Sequence, residues 1–260
     1  MISYNFYGIY AEEDKKRFIK TQNNDFEKIC EYLKTDPKTI KIIYNTYDTR
    51  DGKQDNDPNH RISRASARFD EMAIYRFWLA SDDPSFPHEI THLIAHTWAK
   101  PYLWTATLDT AYGTEITKTI EMVSTSFFQE GLAIAVDNIV FKRKLLEEGE
   151  QKYIEEWCIE SIDKIPKLIN IINYSGFNAY NNKIVVPFAA SISQYLINKY
   201  GLNKFKEIYV SIKETNTPEQ NISIIEQIIQ LEENELFYLW KKSLLQRNIR
   251  NYEFENNYEI

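Results

Sequence analysis

The chain has 260 residues and a mass of 30.9 kDa, enough for one large domain or two closely joined lobes with a sizeable core. With 43% hydrophobic and 27% charged residues, 18 Tyr and 14 Phe, it lies far from the polar, aromatic-poor composition of disordered chains, and no run approaches the roughly 18 apolar residues of a membrane span. A formal charge of −7 with both signs interspersed argues against a nucleic-acid footprint.

"SYNFYGIY" alternates apolar and polar residues near the start, and "TIKIIYNTY" at 39–47 is rich in β-branched and aromatic residues, so both predict strands. Between them "EEDKKRFIKTQNNDFEKICEYLK" places Phe18, Phe26, Ile29 and Leu33 near helical spacing. A strand–helix–strand opening follows. The segment 48–61, "DTRDGKQDNDPNHR", collects Asp, Asn, Gly and Pro and reads as a polar loop, with His60 a solvent-facing loop residue. "MAIYRFWLA" at 72–80 is a third strand. It is either an edge against which an extended peptide could pair or a core strand with Phe77 and Trp78 on opposite faces. "SDDPSFP" then supplies turn residues, Ser85 as a helix cap and Pro87 for a first helical turn.

Beyond about residue 111 the pattern becomes helical. "TEITKTIEMVSTSFFQEGLAIAVDNIVFKRKLLEE", "YIEEWCIESIDKIPKLINII", "FAASISQYLINKYG", "LNKFKEIYVSIKE", "PEQNISIIEQIIQ" and "ENELFYLWKKSLLQRN" are amphipathic runs separated by Gly, Pro and Asn. "FKRKLL" within the first reads as a solvated helix face. Cys30 and Cys158 are too few and too far apart for a metal motif or a disulfide framework, and read as ordinary thiols. The N-terminus has no basic region followed by an apolar one, which as written implies a cytoplasmic chain; a signal removed ahead of Met1 would instead imply an exported or envelope-associated one.

The segment that carries chemistry is "FPHEITHLIAH" at 86–96. Three of the four histidines, His88, His92 and His96, recur at intervals of four, so on a helix their imidazoles share one face. A catalytic zinc takes three protein ligands and leaves a fourth position for water, so two histidines require one more donor. Downstream, "FFQEGLAIAVDN" sets Glu130 at the head of a strongly apolar helical run. A carboxylate there is costly to bury unless it is paired or bound to a cation. His96 is the rival third ligand. On one straight helix, however, it lies about 12 Å along the axis from His88, too far for ligand bonds near 2 Å, and is read instead as a polar residue behind the ligands or beside the substrate.

"HEITH" with the downstream "QEGLA" resembles the gluzincin branch of zinc metallopeptidases, and within it the peptidase MA-like group, over residues 84–137. "PFAASISQYLINKYG" at 187–201 is a softer echo. The resemblance implies an α+β, zincin-like fold. A small mixed sheet with helices would form residues 1–110, a mainly helical part residues 111–260, with the active-site helix between them and the whole acting as one catalytic unit. It implies one zinc ion per chain on His88, His92 and Glu130. It also implies a metallopeptidase in which Glu89 is the general base for metal-activated water, acting on a peptide or protein substrate without nucleic acid or a membrane span.

Thermolysin-like relatives of that branch carry an Asp where this chain has Ile134; Asp137, one turn further, is a substitute. Aligning the softer echo sets Phe188 where an oxyanion-stabilising Tyr is sought, leaving Tyr174, Tyr180 and Tyr195, with Tyr180 preferred because "NYSGFNAYNN" reads as a loop. Those two departures favour the alternative, a zincin-like binding or scaffold module without turnover. Substrate, endo- or exopeptidase mode and oligomeric state are not encoded in any motif.

Overall fold

The computed structural model describes residues 1–48, 65–109, 115–147 and 149–256; His60 and most of the loop predicted at 48–61 lie outside them. The architecture is mixed α+β and forms two compact units, Met1–Val123 and Ser124–Ile260. Among the described residues no helix is long and apolar enough to cross a membrane.

The first unit opens as its patterning predicts. Strand β1 (Ile2–Tyr7), helix α1 (Glu12–Tyr32) and strand β2 (Ile42–Tyr47) form a β–α–β unit with the strands parallel and Ile2 opposite Ile42. The inward residues of β1 meet the apolar stripe of α1, Phe6 lying 5.6 Å from Phe18 ring to ring. Strands β3 (Ala65–Arg68) and β4 (Ala73–Phe77) complete a sheet of order β1-β2-β4-β3, in which β4 runs parallel to β2 and β3 antiparallel to β4.

This order corrects the edge-strand reading of 72–80. Strand β4 is hydrogen-bonded on both sides, and among the described residues β3 is the outer strand. The core-strand alternative describes it better: Phe77 packs on Tyr47 at 5.9 Å, while Trp78 packs on Phe18 at 4.7 Å.

Helix α2 (Pro87–His96) begins with Pro87 in its first turn as expected, but Ser85 does not cap it. The Ser85 hydroxyl donates to Asp25 Oδ2 at 2.6 Å, and Phe86 takes the cap position. After α2 the chain makes an antiparallel hairpin, β5 (Tyr102–Asp109) with β6 (Glu115–Met122), where a helix was expected from 111. The first unit therefore runs on to Val123, and helix begins only at Ser126.

The second unit is mainly helical. Its spine is α3 (Ser126–Phe141), which ends on Lys142 in the left-handed region at φ 54°, so that "FKRKLL" is not a helix face. Leu145–Glu147 (β7) and Glu150–Lys152 (β8) form a small hairpin there instead. Helices α4 (Ile154–Glu160), α5 (Tyr174–Ala179), α6 (Asn182–Tyr200), α7 (Leu202–Ser211), α8 (Pro218–Ile229) and α9 (Glu233–Asn256) follow.

Helices α3 and α6 cross closely at Gly131, where a Cβ would fall 2.5 Å from the Ala189 carbonyl oxygen. Phe127, Phe188 and Trp240 fill the core around that crossing. Both cysteines are buried, Cys30 on α1 and Cys158 on α4.

Candidate metal centre

Helix α2 delivers His88 and His92 one turn apart, and their rings meet edge to face with centroids 4.6 Å apart. The two Nε2 atoms are 3.0 Å from one another. Two nitrogens at about 2.05 Å from a tetrahedral zinc lie about 3.3 Å apart, so the imidazoles already converge to nearly a coordinating geometry. The same distance also suits one imidazole donating Nε2–H to the other.

Glu130 adds a third group to the pair. One ligand atom from each of His88, His92 and Glu130 lies within 4.8 Å of the others. A carboxylate beside two imidazole nitrogens can accept an imidazole N–H, and it is also the third donor that a divalent cation requires. His92 is buried and the other two are half-buried. Two imidazole nitrogens, one carboxylate oxygen and no thiolate make a donor set that fits zinc with three protein ligands.

Glu130 sits where the apolar run predicts. It is a half-buried acid whose helix neighbours Phe127, Phe128, Gln129 and Gly131 to Val136 are all buried. Ile134 is among the buried ones, and Asp137 one turn on is half-buried. Glu89 follows His88 on α2 and is only 9% exposed. Its charge reaches Tyr44 beneath the helix: burial pushes the Tyr44 hydroxyl up to about 12, with Arg76 pulling it down and Glu89 and Asp25 adding to the rise.

His96 does not join the group, as the axial distance argued. Its ring lies flat on Phe69, centroids 4.5 Å apart and 9° between planes, and its Nε2 is 4.0 Å from Glu121 Oε2 on β6. Burial lowers the His96 pKa and Glu121 acts in the opposite sense. An imidazole that is harder to protonate when folded takes up its proton on unfolding, so it opposes folding increasingly as pH falls below the unfolded value of about 6.5. Thermal melts of the wild type and His96→Gln between pH 8 and pH 5.5 test this. The wild type is expected to lose more melting temperature on acidification, each pKa unit between the folded and unfolded states being worth about 1.4 kcal/mol.

Residues that sequence reasoning missed hold the entry to α2. Arg76 is 1% exposed; it donates to the carbonyls of Pro84 at 2.5 Å and Asp83 at 2.9 Å, and its guanidinium lies 4.8 Å from the Phe86 ring. The Gln22 amide donates to the same Pro84 carbonyl, and Asp25 accepts from Ser85. The available signal was a single charge inside the apolar stretch "AIYRFWLA", which must find several acceptors if it is buried.

The oxyanion candidates are less well served. The stretch around Tyr180 is not a loop: Tyr174–Ala179 is α5, and Tyr180 follows it as a 40% exposed residue. Tyr195 is buried in α6, and Phe188 is a core residue packed against Phe127 and Trp240. Compared with family models, with curated proteins and with solved structures, the chain matches none of them.

Proposed function

We propose that the chain is a zinc-dependent metallohydrolase of gluzincin type, a peptidase acting on peptide or protein substrates. The observation that carries this reading is the convergence of the His88 and His92 nitrogens with the Glu130 carboxylate. The zincin-like fold is supported by the parallel strands with one antiparallel outer strand, β3, and by the ligand-bearing helix α2 that follows β4.

His88, His92 and Glu130 would hold the ion. A zinc ion so bound lowers the pKa of water and polarises a carbonyl. Glu89 accepts the proton of the attacking water and returns it to the leaving amine nitrogen, the work of a general base and then a general acid. Its burial keeps bulk water from competing for that proton. Among the described residues β3 has no strand on its outer side, and its backbone N–H and C=O groups there are ones with which an extended peptide could pair as an added strand.

The test is a zinc titration of the metal-stripped chain followed by digestion of a broad peptide library. One zinc per chain is expected, with cleavage that stops on chelation and returns with zinc, and Glu130→Ala should abolish both. Failure of the wild type to bind zinc at that stoichiometry overturns the reading. Stoichiometric zinc with an intact library would instead support the scaffold alternative, which the buried Phe188 favours.

A further inference from the structure

Glu214, in the turn between α7 and α8, is a carboxylate that the mechanism does not use, and it is only 9% exposed. Its two oxygens are divided between two helix starts. Oε1 accepts from the Ser126 backbone N–H and Oε2 from that of Tyr174, each at 2.7 Å. Helices α3 and α5 both begin without a side-chain bond from their own cap residues, Thr125 and Asn173, and neither has an acidic residue in its first turn. One remote anion thus supplies what the local sequence of both helices lacks, an acceptor for N–H groups that have no partner within the helix and a negative charge at the positive end of the dipole. Burial raises the Glu214 carboxyl pKa, and the two N–H groups pull it back.

The turn that presents Glu214 is itself fixed. Asn221 is fully buried and uses all of its hydrogen-bonding capacity: Oδ1 accepts from Lys213 N and Asn216 Nδ2, and Nδ2 donates to Lys213 O and Asn173 Oδ1. Asn173 Nδ2 in turn donates to the carbonyls of Asn216 and Glu214. Such a closed set of bonds holds the carboxylate in one orientation.

Ser126 and Glu130 are four residues apart, so they lie one turn from each other along the same side of α3. We propose that Glu214 is a positioning residue: its carboxylate fixes the first turn of α3 and through it the placement of Glu130, with α5 tied to the same anchor. The consequence for metal binding rests on the metallohydrolase reading; the fixing of α3 does not.

The experiment uses the full chain with Glu214→Gln, which keeps the side-chain volume but offers one acceptor oxygen in place of two. Zinc competition against a chromophoric chelator, well below the melting temperature, is expected to show affinity reduced about tenfold, the scale seen when a ligand's supporting partner is removed. Hydrogen exchange should be faster at the Ser126 or Tyr174 amide. Trp157→Phe, which deletes the indole bond from α4 to the Leu145 carbonyl in the same unit, away from the α3–α6 crossing, is the control for simple loss of stability and should leave zinc affinity unchanged. Wild-type zinc affinity in Glu214→Gln, or an equal loss in both variants, overturns the proposal. If the wild type takes up no zinc, the metallohydrolase reading falls and exchange alone decides: unchanged protection overturns the fixing of α3, and faster exchange upholds it.

Discussion

Glu89→Gln is expected to lower the rate of peptide hydrolysis by about 10²- to 10⁴-fold while one zinc per chain is still bound, because a positioned general base contributes on that scale. The substitution is nearly isosteric, and it leaves His88, His92 and Glu130 untouched. What it removes is the ability to accept a proton at neutral pH. Glu89 is 9% exposed, and the amide keeps its volume and one acceptor oxygen, so the chain is expected to stay folded. The informative comparison is therefore kinetic. A fall in kcat with zinc stoichiometry and melting temperature retained assigns the proton transfer to Glu89. A variant that cleaves at the wild-type rate would remove Glu89 from the mechanism, and an accompanying loss of zinc would show that its part is in holding the site together.

Legibility in the sequence depended on whether the deciding interaction is local. The β1–α1–β2 opening could be read because strand alternation and the spacing of Phe18, Phe26, Ile29 and Leu33 are properties of each segment alone. The hairpin β5–β6 could not. Ile116 and Ile120 are four apart, which satisfies a helical stripe and also every second position of a strand, and the partner that decides between them is the run from Tyr102. Strand order was hidden for the same reason: an apolar run such as "AIYRFWLA" reads alike at the edge and in the middle of a sheet until its neighbours are known.

At the candidate site the division is similar. His88 and His92 share a helix face by spacing, and Glu130 stands out as an acid in an apolar run, so the proposed ligands were readable. The residues that support the helix starts, Arg76 and Gln22 at the entry to α2 and Glu214 at the first turn of α3, reach across 7 to 88 positions, and no periodicity records such a bond. Ser85 shows the converse failure. It occupies a plausible capping position, and the pairing with Asp25, 60 residues away, takes its hydroxyl instead.

Gly131→Val is expected to destabilise the second unit by about 3 kcal/mol, and the same change should weaken zinc binding. Helix propensity alone predicts the opposite sign, since Gly in a helix interior costs about 1 kcal/mol relative to Ala. Packing decides the matter. A Cβ at Gly131 would lie 2.5 Å from the Ala189 carbonyl oxygen and 2.7 Å from Ser193 Oγ. The serine can turn away, but the carbonyl belongs to the middle of α6 and cannot move without the helix. Gly131→Ala already meets this contact, so its net cost should be smaller, the overpacking being partly offset by propensity. Valine adds two methyl groups held mainly in one rotamer in a helix, and has no orientation that relieves the clash. The relief open to the chain is to slide α3 away from α6, which displaces the adjacent Glu130. Chemical denaturation of both variants beside zinc competition tests the link: a stability loss that rises from Ala to Val with zinc affinity falling in step is the expected result, and a valine variant as stable as the wild type would mean that the α3–α6 crossing is looser than the contact distances require.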